Sequence, residues 1–276
     1  MQKVFYQTEL SEYQDLFESD AWKHITEGLT ETFESHDCFV LLAFDWYDVL
    51  RDDSEAEKIM VYLDDHDLFF ICETENSYKK ACSCLNEGER NEKALYHFFV
   101  NLLKEDMGHI DWYETQITEE EDAAITDSKE DYLDKIKEYR KELLRLKRYY
   151  EQLGMIMEDM SVNENNLLSD DLVRHFVILA KRIDKYRSCV LNLRDYVTQM
   201  REAYQAQIDI EQNKLMKVFT LITAVFLPLS LFVGWYGMNF SNMPELSWKY
   251  GYPVFIGVSI VLSIFLIIYF RRKKWF

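Results

Sequence analysis

The chain has 276 residues, of which 48% are hydrophobic, and only 8 are Gly and 3 are Pro. This composition excludes intrinsic disorder, collagen-like repeats and a loop-rich all-β fold, while the length allows one or two domains with a sizeable core. The five scattered cysteines do not form a disulfide framework, and the net charge of −18 argues against a general nucleic-acid binder.

The charge is unevenly distributed along the chain. Residues 214–276 contain seven Lys or Arg and a single acid, Glu245, so this segment carries +6 and residues 1–213 carry −24. The sequence is therefore a strongly acidic body followed by an apolar tail with basic flanks.

The acidic body begins with the pattern of a small α/β domain. Short runs rich in Val, Ile, Phe and Tyr predict strands at Phe39–Trp46, Lys58–Leu63 and Leu68–Cys72. The polar residues 64–67 predict a hairpin turn between the last two strands. Covering helices are predicted at Ser77–Asn86, Glu92–Tyr113 and Tyr132–Asp159.

No pattern in the body indicates catalysis. Cys82 and Cys84, considered with His97 and His109, do not have the spacing of a structural zinc site, so we interpret the cysteines as ordinary helix residues. A set of nucleophile, base and orienting residue cannot be assembled, and a Gly-rich phosphate loop does not occur. We expect neither an enzyme nor a nucleotide cofactor.

A very long helix is predicted next. Apolar residues recur with 4-3 spacing over more than four heptads: Leu172, Phe176, Leu179, Ile183, Tyr186, Val190, Leu193, Val197, Met200 and Tyr204. This stripe fits a coiled-coil-like seam, or an ordinary long helix packed on its own domain. In both cases the helix is expected to run unbroken from Asp170 to Pro228, joining a stalk to an apolar segment.

Two apolar segments near the C-terminus are long enough to span a bilayer. Val218–Tyr236 has 19 residues and Pro253–Phe270 has 18, against the roughly 20 that a membrane helix needs. Aromatic residues at their ends and flanking Lys and Arg favour membrane spans over a buried hairpin of a soluble protein. The positive-inside rule predicts a multi-pass protein of the cell (plasma or inner) membrane with both termini cytoplasmic. Met1–Leu10 lacks the pattern of a signal peptide.

A polar stripe follows the long helix into the first span. Seven-residue steps from Glu202 reach Asp209, Met216, Thr223, Ser230 and Gly237, whereas the other faces carry Phe, Leu, Ile and Val. Polar groups within a span usually face a partner helix or a water-filled path. Thr and Ser are weak indicators because each can bond its own backbone, but the two acids favour a path for cations.

The loop after the first span carries the most specific motif. Gly237-Met238-Asn239 follows Tyr236, and Met-Pro-Glu-Leu at 243–246 and Gly-Tyr-Pro at 251–253 come next. Between two C-terminal spans, this combination closely resembles the CorA family of magnesium transporters, within the two-span Gly-x-Asn superfamily. The strong match covers about residues 200–276, while the N-terminal part has no diagnostic motif and is shorter than is usual in that family.

The resemblance implies an α+β membrane protein. It would have an N-terminal cytoplasmic α/β domain, a long stalk helix continuous with the first transmembrane helix, and a second C-terminal transmembrane helix. Five chains would form a funnel-shaped homopentamer whose first spans line the pore. The implied domains are 1–165 (α/β domain with covering helices), 166–215 (stalk), 216–238 (pore helix), 239–252 (external loop), 253–270 (second span) and 271–276 (basic tail).

The same resemblance assigns roles to individual residues. Gly237, Met238 and Asn239 match the selectivity motif, and Asn239 would hold hydrated Mg²⁺ at the external mouth. The remaining pore residues are implied as polar positions Thr223 and Ser230, apolar constrictions Met216, Phe219 and Leu227, and inner-mouth positions Glu202, Asp209 and Asn213. Mg²⁺ keeps its waters tightly, so neutral amide and carbonyl oxygens suit conduction.

The charged residues beside the two spans can each be interpreted in two ways. Glu245 would gather cations near the mouth, or is simply a solvated loop acid; Ser241 stands where many family members carry an acid. The basic residues after the second span match the family's basic collar, or anchor the span: Arg271, Arg272, Lys273 and Lys274.

The acidic residues before the long helix also have two interpretations, one of which is regulation by Mg²⁺. The acids of residues 119–122, with Asp127, Glu130 and Asp131, form a solvated face or resemble the family's acidic helices near the collar. Family members close when Mg²⁺ bridges carboxylates of neighbouring subunits. Asp184 and Asp195 of this chain do not match the usual bridging site.

We therefore predict a passive, membrane-potential-driven Mg²⁺ channel or transporter whose partners are its own copies, the membrane and divalent cations. A Zn²⁺, Co²⁺ or Ni²⁺ transporter on the same scaffold is one alternative. A non-conducting, membrane-anchored coiled-coil scaffold or sensor is another, although it leaves the Gly-Met-Asn motif and the polar stripe unexplained.

Overall fold

The structure is a computed structural model that describes residues 1–49, 55–85, 88–123, 129–238, 243 and 248–272. It divides into two units, Met1–Arg201 and Glu202–Phe276. The finer division of the chain at residues 165 and 215 stays a prediction.

The first unit is built on a five-stranded sheet. The strands are β1 (Gln2–Tyr6), β2 (Phe33–Ser35), β3 (Phe39–Trp46), β4 (Glu57–Asp64) and β5 (Leu68–Cys72), in the order β1-β5-β4-β3-β2. Strand β1 is parallel to β5, and the other pairs are antiparallel. The structure confirms the three predicted strands and their hairpin, where Asp64 Oδ1 accepts the backbone N–H groups of His66 and Asp67 at 2.7 and 2.6 Å. The sequence did not predict β1 and β2.

Seven α-helices and one 3-10 helix (Gln7–Leu16) are present in the described residues. They are α1 (Ser19–Glu27), α2 (Glu75–Cys84), α3 (Asn91–Leu102), α4 (Asp106–Ala123), α5 (Lys129–Val162), α6 (Asp170–Tyr236) and α7 (Gly251–Arg272). A capping box between Thr74 and Ser77 starts α2; the predicted end of this helix at Asn86 lies outside the described residues.

The prediction of one helix over residues 92–113 was wrong. The backbone leaves helical geometry at Leu103 (φ −92°, ψ 6°), and Asp106 begins α4. Leu102 and Leu103 are adjacent and both buried. Because apolar residues continue on both sides of this short turn, the helical periodicity of the sequence does not show the break.

The core of the first unit lies on both faces of the sheet. One face packs against the 3-10 helix and α1 through a cluster that includes Phe5, Phe17 and Phe69. The other face meets the helices, with ring centroids 4.5 Å apart for Phe70 and Phe98 and 5.8 Å apart for Phe44 and Phe99. Two covered faces explain why β3 and β5 are nearly continuous apolar runs in the sequence.

The predicted stripe on α6 is buried within its own chain from Leu172 to Met200, and Tyr204 is half-buried. The ring of Phe176 meets Tyr96 of α3 at 5.8 Å, and Tyr186 meets Tyr150 of α5 at 5.6 Å. Over this stretch the structure supports the alternative of a long helix packed on its own domain. The helix continues unbroken past Pro228 to Tyr236, as the sequence predicted.

A buried carboxyl gives the first unit a pH-dependent stability. Asp106 is 4% exposed, and Tyr150 donates a hydrogen bond to its Oδ2 at 3.1 Å. Burial raises the pKa of Asp106 to about 6, despite the opposing effect of the Tyr150 hydrogen bond. Between pH ~4 and ~6 the folded state therefore holds a proton that the unfolded state has lost, so the contribution of Asp106 to stability falls as pH rises through this window.

We expect Asp106→Asn to stabilise the protein by about 2–3 kcal/mol at pH 7.5 and by much less at pH 4.5, because the amide is neutral and still accepts from Tyr150. Thermal melts of the two proteins across this pH range measure the difference. Asp111→Asn, a change to an exposed acid of the same helix, is the control. A stability difference that does not change with pH would contradict the prediction.

The second unit contains the apolar tail. Two helices of the described chain, α6 and α7, are long and apolar enough to cross a membrane, and the residues of their apolar windows are unburied. These helices include the two predicted spans.

Candidate functional site

The predicted pore residues that the structure describes all lie on the C-terminal part of α6 or just after it, within the second unit. Each is exposed in the single chain: Glu202, Asp209, Asn213, Met216, Phe219, Thr223, Leu227, Ser230, Gly237 and Met238. The apolar members are among the most exposed, with Met216 at 62%, Phe219 at 64% and Leu227 at 69%. These side chains are therefore not part of any core within the unit.

The predicted pore residues lie on one face of the helix, although residues on other faces are exposed as well. Half-buried positions of the same stretch are Leu221, Ala224, Val225, Pro228 and Leu229. At 3.6 residues per turn, the mean direction of that row lies about 170° around the helix from Thr223. The predicted pore face and the half-buried face are thus on opposite sides of α6.

The half-buried side faces the second apolar helix. Tyr236 near the end of α6 meets Phe255 of α7, with ring centroids 5.4 Å apart and planes at 77°. A cavity of about 500 Å³ lies at this end, lined by residues from Phe232 to Gly237 and from Trp248 to Ser259. Its walls are mainly apolar and aromatic, so it offers few oxygen ligands to a cation.

The hydroxyl of Thr223 bonds its own helix while keeping acceptor capacity. Thr223 Oγ1 donates to the carbonyl of Phe219 at 2.8 Å, and Thr220 bonds Met216 in the same way. A hydroxyl has one hydrogen to donate and two lone pairs that accept. The Thr223 oxygen therefore remains able to accept hydrogen bonds from water, including the water around an ion.

The Gly-Met-Asn motif begins directly after the end of α6 at Tyr236. The N–H of Gly237 bonds the carbonyl of Val233 at 2.9 Å, and a Cβ added at Gly237 would lie 3.0 Å from that oxygen. A side chain at this position would therefore crowd the helix backbone. The last carbonyls of a helix carry a partial negative charge, which attracts cations. Asn239 and Glu245 lie outside the described residues, so their predicted roles remain predictions.

The second apolar helix, α7, ends in basic residues. Arg271 and Arg272 form the exposed last turn of α7, where cations complement the helix dipole. Lys273 and Lys274 lie outside the described residues. Both the collar and the anchor interpretations are compatible with this position.

Two of the acids considered for regulation, Glu120 and Glu121, have partners within their own chain, as does Asp184 of the stalk, which was not matched to a regulatory site. Lys135 binds Glu120 at 2.6 Å, Tyr196 of α6 donates to Glu121, and Arg187 binds Asp184 at 2.6 Å. These contacts favour a structural role for the acids. Asp127 and the side chains of Glu130 and Asp131 lie outside the part of the chain that the structure describes.

The sequence did not predict a group of three possible metal ligands in the N-terminal unit. His24, Glu34 and His36 each offer one ligand atom, and the three atoms lie within 4.8 Å of one another. The sequence places Glu34 and His36 two residues apart, a weak signal, and His24 joins them only through the fold. The Cys and His residues that the sequence analysis considered as a metal site do not form such a group. Cys82 is exposed whereas Cys84 is buried, and His97 pairs with Glu89 at 2.6 Å.

Comparison with known families decides what kind of protein carries this arrangement. The model of the CorA-like Mg²⁺ transporter protein family matches residues 7–272, which is nearly the whole chain. The chain belongs to this family. Its members are membrane transporters and not enzymes, in agreement with the two apolar helices and with the resemblance on the Gly-Met-Asn motif.

Curated relatives share different parts of the chain. The cobalt/magnesium transport protein CorA of Thermotoga maritima is 24% identical over 255 residues, which cover 89% of this chain and 72% of that protein. The magnesium transport protein CorA of Haemophilus influenzae is 50% identical over 76 residues, which cover 28% of this chain and 24% of that protein. Similarity to the second is thus higher but confined to a short stretch.

Solved structures confirm the predicted fold class. The complete CorA magnesium transporter from Methanocaldococcus jannaschii superposes with a TM-score of 0.79 at 19% identity, covering 98% of this chain and 87% of that one. Full-length CmaX gives a TM-score of 0.72 at 17% identity, covering 96% and 86%. The cytoplasmic domain of ZntB from Vibrio parahaemolyticus gives 0.55 at 14%, covering 73% and 84%. An N-terminal α/β sheet domain, a long helix and two apolar helices are therefore this chain's architecture.

Proposed function

We propose that the chain is a passive, membrane-potential-driven Mg²⁺ channel that works as a homopentamer, with five α6 helices around the pore. The observation that carries the proposal is the exposed face of α6. This face holds Asp209, Thr223 and Ser230, lies opposite the half-buried face, and leads to the Gly-Met-Asn motif. Thr223 and Ser230 lie within the first span, where polar groups usually face a partner helix or a water-filled path, and assembly around an axis would turn them toward such a path.

Ion recognition is assigned to the end of α6. Asn239 follows the helix by three residues, and its amide oxygen would accept hydrogen bonds from the waters of a hydrated Mg²⁺. The partial negative charge of the α6 C-terminus would stabilise the same ion. Neutral oxygens release the ion more readily than a ring of carboxylates, as conduction requires. Glu245 would raise the local concentration of cations at this mouth.

The apolar residues on the same face are assigned to a gate. Met216, Phe219 and Leu227 are exposed in the single chain and would meet their symmetry copies around the pore axis. A narrow apolar ring disfavours water and therefore blocks ions when it closes. Glu202, Asp209 and Asn213 would form the polar inner mouth.

The orientation follows from the distribution of charge. Lys214 and Lys217 precede the first span, and the basic cluster from Arg271 follows the second, which favours cytoplasmic termini and an external loop over residues 239–252. Inward movement of a divalent ion down about 100 mV releases roughly 4.6 kcal/mol, so no nucleotide is needed. A regulatory Mg²⁺ at the acidic residues is not favoured by their pairing within the chain.

We propose Co²⁺ as a second transported ion. The Thermotoga relative is named a cobalt/magnesium transport protein. Likeness to the ZntB domain concerns the N-terminal fold, so it does not favour zinc.

Uptake of Mg²⁺ into liposomes containing the purified chain tests the proposal. We expect uptake under an inside-negative potential and a return to the level of protein-free liposomes when the potential is collapsed. Addition of Co²⁺, Ni²⁺ or Zn²⁺ ranks the competing ions, and a mass measurement of the detergent-solubilised oligomer counts its chains. Zn²⁺ flux without Mg²⁺ flux, or no flux from an assembled oligomer, would overturn the proposal.

A further inference from the structure

Three side chains of the N-terminal unit converge at the edge of its sheet. His24 lies in the last turn of α1, and Glu34 and His36 lie in and just after the edge strand β2. Glu34 Oε2 is 2.6 Å from His24 Nδ1 and 3.5 Å from His36 Nε2. We propose that these residues form a binding site for a transition-metal divalent cation of the Zn²⁺ and Co²⁺ class, separate from the pore.

The two distances from Glu34 can be compared with those around a tetrahedral metal. Zn–N and Zn–O bonds of about 2.0–2.1 Å place ligand atoms about 3.4 Å apart around the ion. The 3.5 Å separation between Glu34 and His36 already has this value. The 2.6 Å hydrogen bond between His24 and Glu34 would lengthen by about 0.8 Å as the ion replaces the shared proton. His24 would then bind through Nδ1 as a neutral imidazole with its proton on Nε2.

The backbone around the three ligands is fixed by local structure. The carbonyl of His24 accepts the N–H groups of Gly28, which has φ 64°, and of Leu29, so the end of α1 is capped. Strand β2 holds Glu34 opposite Leu41 of β3. A site on regular elements keeps its ligands close to the binding geometry before the ion arrives.

His36 is fixed from two further directions. Its ring stacks on Phe39 with centroids 4.3 Å apart, and Asn165 donates from Nδ2 to its backbone carbonyl at 3.1 Å. The ring of His24 lies edge-on to that of His36 at 5.2 Å. The two imidazoles therefore have defined orientations, with Glu34 between their ligand nitrogens.

The accessibility and chemistry of the group select the class of ion. The three side chains are 29%, 23% and 31% exposed, so an ion can enter and keep water in a fourth position. Imidazole nitrogens suit Zn²⁺, Co²⁺ and Ni²⁺, whereas Mg²⁺ prefers oxygen ligands. The site would therefore bind a transition metal in the presence of excess Mg²⁺.

Titration of the full-length protein with Co²⁺ in excess Mg²⁺ tests the site, because Mg²⁺ occupies oxygen-ligand sites and four-coordinate Co²⁺ has a characteristic visible absorption. We expect about one such Co²⁺ per chain. His24→Gln, Glu34→Gln and His36→Gln should each weaken its binding at least about tenfold, while His66→Gln, a change to an exposed histidine elsewhere, should leave it unchanged.

A second measurement needs no variant. X-ray absorption of wild-type protein loaded with one equivalent of Zn²⁺ should show scattering from two imidazoles, and the bound ion should raise the melting temperature. The proposal is overturned if wild type binds no Co²⁺ under these conditions, if the three variants bind it as wild type does, or if the Zn²⁺ spectrum lacks imidazole scattering. The three residues would then form only a hydrogen-bonded group.

Discussion

Replacement of Asn239 by Ala should lower potential-driven Mg²⁺ uptake by roughly 10- to 100-fold. The expected change reflects the loss of about 1.5–3 kcal/mol of hydrogen bonding to a charged, hydrated ion at the mouth of the proposed pore. In the proposed pore the ion must be stabilised there, because it would leave bulk water before entering a path lined by Leu227 and Phe219. Flux into liposomes at a fixed potential, divided by the amount of reconstituted protein, measures the effect.

Two companion variants sharpen this experiment. Asn242→Ala removes a second amide of the same loop, three residues away, and should leave uptake nearly unchanged. Asn239→Asp should bind Mg²⁺ more tightly and release it more slowly, so that flux falls while ion binding increases. Wild-type flux from an assembled Asn239→Ala oligomer would show that the Gly-Met-Asn motif does not select the ion in this chain.

The apolar tail could be predicted almost completely because its signals are local. A continuous run of apolar residues with aromatic and basic flanks defines a span without reference to the rest of the molecule. Helix α7 extends from Gly251 to Arg272, against a predicted span of Pro253–Phe270. The central strands were equally visible because both of their faces are covered.

The edge strands β1 and β2 were not predicted because they are stabilised by residues that are distant in the sequence. Strand β1 has five residues with mixed burial and pairs with β5, so that Gln2 lies opposite Leu68, 66 positions along the chain. Strand β2 has only three residues. Nothing within such short segments distinguishes them from loops, since pairing partners that are distant in sequence stabilise them.

The candidate site shows the same limit. The heptad spacing placed Glu202, Asp209 and Thr223 on one face, and the structure leaves this face exposed. Periodicity identifies a face but not what covers it, so assembly around a pore remains a proposal. The group of His24, Glu34 and His36 was missed for a different reason, because His24 on α1 meets the other two residues only in the folded chain.

The buried stripe of α6 predicts a large loss of stability when one of its residues is truncated. Phe176 is 0% exposed and meets Tyr96 edge-on at a centroid distance of 5.8 Å. Phe176→Ala should therefore lower the free energy of unfolding by about 3–5 kcal/mol, through lost apolar burial and the cavity that remains. Urea unfolding of the full-length protein in detergent, followed by near-ultraviolet circular dichroism, measures the change.

Ile178→Ala is the matched control for this measurement. Ile178 lies two residues further along the same helix and is 62% exposed, so its truncation should change stability by no more than about 0.5 kcal/mol. The comparison also separates the two interpretations of the stripe. A seam between chains would make the effect of Phe176→Ala depend on protein concentration, whereas packing within the chain gives the same loss at every concentration. If both substitutions lowered the free energy of unfolding by the same small amount, the stripe would be buried neither within one chain nor between chains.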